Sequence, residues 1–271
     1  MRLTVEAGSS HRQYWRDLWQ YRELFLFLAW RDLLVRYKQT VIGIVWAVLR
    51  PLLTMLVLTL VFGKLAGLPS GNAPYPVMVF AALLPWQFFA TSFTEASNSL
   101  ISNANMISKV YFPRLALPAS TMVVALVDLA ISLVILAVLM LVYGFAPELR
   151  ILWLPLFILM AMAASLGAGL WVAALNVKYR DFRYIIPFVV QFGLYVSPVG
   201  FSSAVVPEQW RLLYSVNPMV GVIDGFRWAI LGGEHGLYVP GFALSLGLIL
   251  ALLWSGNRYF RNTERRFADV I

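Results

Sequence analysis

The sequence predicts an all-α polytopic membrane protein with six transmembrane helices, an N-terminal amphipathic interface helix and short re-entrant helices on the external side. Three observations carry that expectation. Hydrophobic residues fill 61% of the 271 positions and charged residues only 13%, about half the charged share of an ordinary soluble domain. The apolar residues fall into six runs near the ~20 residues that a helix needs to cross a bilayer. Lys and Arg collect in alternate connections between those runs. A soluble fold would need polar surface that this chain does not contain, so residues 1–271 read as a single transmembrane domain.

The first run, Val41 to Phe62, contains Arg50 and Pro51. The second extends from Pro76 to about Ser99 and is free of charge until Glu95. The third, Leu117 to Tyr143, has Asp128 as its only charge. The fourth, Ile151 to Leu175, the fifth, about Tyr184 to Val205, and the sixth, Leu237 to Asn257, have none. Prolines inside the second, fourth and fifth predict kinks or local unwinding. In a bilayer these are tolerated where the freed carbonyls face protein or a wet cavity.

Two stretches are amphipathic rather than apolar. From Tyr14 to Lys38, Trp15, Trp19, Leu26 and Trp30 share a broad face flanked by charge, the pattern of a helix lying in the interface plane. Pro207 to Gly233 reads as two short helices. Pro207 suits the start of the first, Asn217-Pro218 the break, and Gly232-Gly233 the end of the second. This region can dip back into the membrane. The first 24 residues are polar and mixed in charge, and predict no cleavable signal peptide.

With the N-terminus placed in the cytoplasm, sixteen Lys and Arg fall on that side. They are Arg2, Arg12, Arg16, Arg22, Arg31, Arg36, Lys38, Lys109, Arg114, Lys178, Arg180, Arg183, Arg258, Arg261, Arg265 and Arg266. Only Lys64, Arg150, Arg211 and Arg227 fall opposite, and Arg50 lies within the first span. That asymmetry puts both termini inside. It also accounts for the net charge of +8 by orientation and contact with anionic lipid. A nucleic-acid binder would concentrate the same charges along a phosphate-tracking surface, so none is expected as a partner.

Catalytic chemistry is poorly provided for. No cysteine and two histidines leave no basis for a zinc or iron site, and no metal is expected. There is no GxxxxGK[ST] loop, so ATP hydrolysis is not expected on this chain.

Charges inside spans are costly and often face a bundle interior or cavity. Arg50 would lie roughly 13 Å along its helix at 1.5 Å per residue. It can face a conduit and meet a phosphate of the cargo, or snorkel to the interface or pair with a carboxylate. Asp128 suits a packing or hydrogen-bonding role. Trp46, Trp86, Phe89 and Tyr195 are candidates to line a path for sugars, Trp86 and Phe89 foremost beside Pro85. An interfacial aromatic belt is the alternative. Between the second and third spans, Asn103 to Tyr111 predicts a short cytoplasmic helix ended near Pro113, either a docking element or an ordinary basic loop.

Four stretches, in order along the chain, resemble one family: WRDLLVRYKQTVIGIVWAVLRPLL (Trp30 to Leu53), KVYFPRLALP (Lys109 to Pro118), NVKYRDFRYIIP (Asn176 to Pro187) and NPMVGVIDGFRWAI (Asn217 to Ile230). The chain resembles the permease subunits of bacterial type 2 ATP-binding-cassette polysaccharide exporters, which move O-antigen, capsule and teichoic acid chains. The resemblance implies a homodimer in the inner membrane, with two copies of a cytoplasmic ATPase that holds the ATP and Mg. No cofactor is then expected in this chain. The implied cargo is an undecaprenyl-pyrophosphate-linked polysaccharide.

The same resemblance implies that Arg31, Arg36 and Lys38 form a basic segment able to meet the carrier's pyrophosphate or anionic lipid. It makes Asn103, Asn105, Met106 and Lys109 the coupling element to the ATPase, and Pro207 to Gly233 re-entrant helices at the external mouth. Arg50 departs from the family pattern, which has an uncharged polar residue such as glutamine before the proline. Two other functions fit the composition: a drug or small-lipid exporter of the same type, and a non-transporting membrane enzyme or scaffold.

Overall fold

Helices and the turns between them account for the whole of the computed structural model, which describes residues 19–38, 41–179, 181–232, 236–264 and 267. Helix α1 is Arg22–Tyr37 and α2 is Val41–Leu58, which continues as a π-helical turn over Thr59–Leu65. Then come α3, Tyr75–Ser102, the single turn α4, Ala104–Ile107, and α5, Ala116–Val142. A 3₁₀ turn, Leu149–Trp153, leads into α6, Leu154–Lys178, followed by α7, Phe182–Val196. A 3₁₀ turn at Ser203–Val205 precedes α8, Glu208–Tyr214, α9, Pro218–Leu231, and α10, Val239–Glu264.

Five helical stretches among the described residues are long and apolar enough to span a bilayer: Val45–Leu65, Tyr75–Ser102, Ala116–Val142, Leu149–Lys178 and Val239–Glu264. They correspond to five of the six expected spans. The remaining one, expected from Tyr184 to Val205, is helical only as the 15-residue α7. At 1.5 Å per residue that is about 22 Å, short of the ~30 Å hydrocarbon core. The cause is local. Proline disfavours the α conformation in the residue before it, and Ser197, preceding Pro198, is extended at ψ 152.

The other prolines behave differently from one another. Helices α2, α3 and α7 continue through Pro51, Pro85 and Pro187. In the fourth span, where a kink was expected, Pro155 instead opens α6 in its first turn, where its missing N–H has no intrahelical acceptor to lose.

Helix α3 is the axis of the bundle. In its most apolar window 78% of residues are buried, against 17% for the α2 segment. It packs on α5, α6 and α9, and α6 packs on α10. Glycine makes the last approach possible: a Cβ on Gly167 would lie 2.7 Å from the backbone nitrogen of Leu253. Small residues permit such close backbone contact between spanning helices. Helix α9 begins where the sequence places it. The Asn217 side chain accepts the Met219 N–H at 3.1 Å, Pro218 follows, and Gly232 ends the helix at φ 61.

Candidate functional site

A cavity of about 680 Å³ opens between the C-terminal turn of α1 and helices α2, α3, α5 and α7. Its lining residues recur three or four apart on each helix: Ala47, Arg50 and Thr54 on α2, Leu83, Gln87, Ala90 and Thr94 on α3, Ala125, Leu129 and Ser132 on α5, and Pro187, Gln191 and Leu194 on α7. That spacing puts each set on one helical face. Four helices therefore turn a mixed polar face toward one space.

Charge in this cavity is unequally balanced. Arg36 Nη2 lies 2.6 Å from Asp128 Oδ2, and the Tyr37 hydroxyl donates to Asp128 Oδ1. Burial first, then the bond and charge of Asp128, raise the Tyr37 phenol above its usual range, while Arg36 opposes them. Asp128 thus has the hydrogen-bonding role its position in a span suggested. Arg50 also lines the cavity, with no ion-pair or hydrogen-bond partner for its guanidinium among the described residues.

The twelve residues singled out from sequence do not come together at one place. Arg36, Arg50, Trp46 and Trp86 meet at the cavity. Phe89 does not line it: it is buried in the core of α3, 5.6 Å centroid to centroid from both Trp86 and Phe93. Tyr195 lies on the outer face of α7 and is exposed. Lys38 follows α1 and is exposed.

Arg31 joins the coupling set. Its guanidinium donates to Asp32 Oδ1 at 2.8 Å and to Asn103 Oδ1 at 3.0 Å, and Asn103 Nδ2 donates to the Ser99 carbonyl. The expected helix over Asn103 to Tyr111 is a single turn, Ala104–Ile107; the chain leading to Pro113 is non-helical, in keeping with the preference of a residue before proline for extended backbone. Asn105 and Lys109 are exposed and Met106 is half-buried. Beneath this turn, Ile107 packs in a cluster with Leu28 of α1, Leu100 of α3 and Phe260 and Phe267 at the C-terminal end. Arg114 braces the same corner, donating its backbone N–H to Glu264 Oε1 at 2.8 Å.

Sequence reasoning missed Tyr37, Gln87 and Gln191, which line the cavity, and it counted Arg227 only as an external charge. Arg227 is 1% exposed. It donates to the carbonyls of Phe201 at 2.7 Å and Val199 at 2.9 Å, and the Tyr75 hydroxyl bonds the carbonyl of Gly200 between them. These donors satisfy the non-helical backbone that follows α7. On the same helix face, burial raises the Asp224 carboxyl above its usual range, against a Ser203 hydrogen bond and the charges of Arg227 and Arg211. An i, i+3 Asp–Arg pair in an otherwise apolar helix was the available signal. A second cavity, about 450 Å³, opens beside these residues.

Apolar helices around a charged, membrane-level cavity are the working parts of a permease, and comparison with known families agrees. Residues 23–231 match the ABC-2 type transporter family, and the chain belongs to it. Its relatives narrow the class. It is 29% identical over 260 residues to the O-antigen export system permease protein RfbA of Myxococcus xanthus, covering 94% of this chain and 98% of that protein. Identity is 27% over 250 residues to the protein of the same name from Klebsiella pneumoniae, covering 92% and 95%. It is 24% over 251 residues to the polysialic acid transport protein KpsM of Escherichia coli, covering 88% and 92%. The chain is an ABC-2 type membrane permease related to O-antigen and capsule polysaccharide export systems.

Proposed function

We propose that this permease moves a polysaccharide linked to a lipid pyrophosphate, of the O-antigen or capsule class, outward across the bacterial inner membrane. A separate cytoplasmic ATPase drives it, binding and hydrolysing MgATP on its own chain. The observation that carries the reading is the cavity, where Arg36 and Arg50 face a single carboxylate, Asp128. Unbalanced charge at membrane depth is costly and is relieved by an anion. Trp46 and Trp86 on the same wall offer faces for the apolar C–H surfaces of sugar rings.

The remaining parts follow from that reading. Helix α1 lies in the cytoplasmic interface, with Trp19, Leu26 and Trp30 exposed toward lipid and Leu28 and Ala29 packed on the bundle. Arg31 and Lys38 sit beside the entry for the carrier and for anionic lipid. The turn from Asn103 to Lys109 receives the ATPase, with Asn105 and Lys109 outermost. Helices α2 and α7 expose Leu49, Leu53, Leu56, Phe188 and Phe192, the faces on which a second copy closes the cavity into a channel. Both termini are cytoplasmic, α7 completes a sixth crossing with the segment after it, and α8 and α9 form the re-entrant external mouth.

The test is reconstitution with two copies of the partner ATPase per dimer in proteoliposomes, offering a lipid-pyrophosphate-linked polysaccharide. Polymer protected inside vesicles, and protected only with ATP, is the expected result. ATPase activity that answers to small amphiphiles while polymer stays outside would make this a drug or lipid exporter. Failure of any ATPase to co-purify would overturn transport altogether.

A further inference from the structure

We propose that Asp128 is a resident counter-anion, which holds Arg36 in the empty cavity and is replaced by the cargo's pyrophosphate. The proposal rests on the reading of the cavity as the carrier's pyrophosphate site, and adds a residue that selects among anions there.

The geometry has three parts. Arg36 and Asp128 come from different helices, α1 and α5, and meet at 2.6 Å on the cavity wall. The pair is not sealed: the Arg36 side chain is 37% exposed and that of Asp128 21%. The Tyr37 hydroxyl holds the other carboxylate oxygen, so Asp128 keeps a donor when the guanidinium turns away. Arg50 opens onto the same space without a partner among the described residues.

The exchange follows from charge. A part-exposed ion pair is weak, whereas guanidinium and phosphate meet in charge-assisted, bidentate bonds. A pyrophosphate carries enough charge and oxygens to engage both Arg36 and Arg50 and to displace the carboxylate. A singly bridged anion, such as an ordinary phospholipid headgroup, has less to offer and meets the repulsion of Asp128. The carboxylate thereby lowers affinity for every anion by a common factor, and the weakly bound ones, common anionic lipids among them, fall below occupancy first.

The test uses the full chain in phosphatidylcholine nanodiscs, titrated calorimetrically with farnesyl pyrophosphate, farnesyl monophosphate and farnesol. Wild type is expected to bind them in that order of decreasing affinity. Asp128→Asn, which keeps the shape and the Tyr37 bond, should bind both phosphates about twofold to fivefold tighter. Monophosphate and pyrophosphate should gain by similar factors, while farnesol should not gain. Asp128→Glu should behave as wild type. Asp128→Ser carries the same expectation as Asp128→Asn and decides the matter if the asparagine variant does not fold.

The outcomes separate two failures. If wild type discriminates pyrophosphate from farnesol but neither charge-removing variant gains affinity, the counter-anion role is wrong and the site reading stands. If wild type binds farnesol as well as farnesyl pyrophosphate, the cavity is not a pyrophosphate site and the role of Asp128 falls with it.

Discussion

Arg227→Met should destabilise the protein more than any change at its exposed arginines. The guanidinium is 1% exposed and holds the carbonyls of Val199 and Phe201 at 2.9 and 2.7 Å. Methionine fills much of the same volume but donates nothing. Hydrogen bonds from a charged group contribute about 1.5–3 kcal/mol each, and carbonyls left buried without a donor forfeit that in full. Two of them amount to about 3–6 kcal/mol. For a chain of this size, a change of 1 kcal/mol shifts the midpoint by about 2–4 °C, so the expected drop is about 6–24 °C. Thermal unfolding of detergent-purified protein, followed by size exclusion after heating, measures it. Arg227→Lys, which keeps one donor group, should lose about half as much. A midpoint within 2 °C of wild type for Arg227→Met would show that the segment after α7 does not depend on this guanidinium.

Three other perturbations have defined outcomes. Gly167→Ala should cost about 1–3 kcal/mol in the same unfolding assay, because its Cβ would meet backbone of α10 at 2.7 Å and the two helices must part. Arg50→Gln should reduce ATP-dependent polymer uptake into vesicles at least about tenfold, the effect of roughly 1.4 kcal/mol; Arg50→Lys should retain a part, since a point charge replaces a bidentate fork. Arg31→Ala and Asn103→Ala should each lower polymer uptake per ATP hydrolysed while ATP hydrolysis persists, and the double variant should be no worse than either, because both remove one bond.

The spanning helices were legible because hydrophobic length alone defines them: five of six expected runs are long apolar helices with ends shifted by a few residues. The exception came from a proline. Hydropathy continues through Ser197-Pro198, while the backbone does not. Helix α9 was legible through Asn217, Pro218 and Gly232, whose effects are local. The cavity was legible only as a list of costly residues. Arg36, Arg50, Trp46 and Trp86 stood out singly by charge or ring, but their meeting depends on how α1, α2 and α3 cross. Tyr37 and Asp128 are 91 residues apart, and Arg31 and Asn103 72 apart; no spacing rule connects such pairs. Phe89 and Tyr195 were separated from Trp86 for the same reason, since a ring in a span faces core, cavity or lipid according to packing that the sequence leaves open.

What the arrangement adds is a mechanical connection between two sites expected from different arguments. Helix α1 bonds the turn after α3 through Arg31 and Asn103 and bonds the cavity wall through Arg36, Tyr37 and Asp128. The two attachments are five residues apart on one helix, about 7.5 Å along its axis. A helix of that length is stiff, so a displacement imposed on the turn is delivered to the cavity mouth with little loss. The walls differ in their ability to respond. Helix α3 is buried on most of its surface, whereas α2 is mostly exposed and α7 has one buried residue, Ile186. Within one copy α3 is therefore the fixed wall, and α2 and α7 are held mainly by whatever covers their outer faces. The contact that would have to open for the mouth to move, Arg36 to Asp128, is also the contact that an arriving pyrophosphate weakens. On the proposed function, cargo entry and partner closure would act on one ion pair, a physical reason for the permease to move only when both are present.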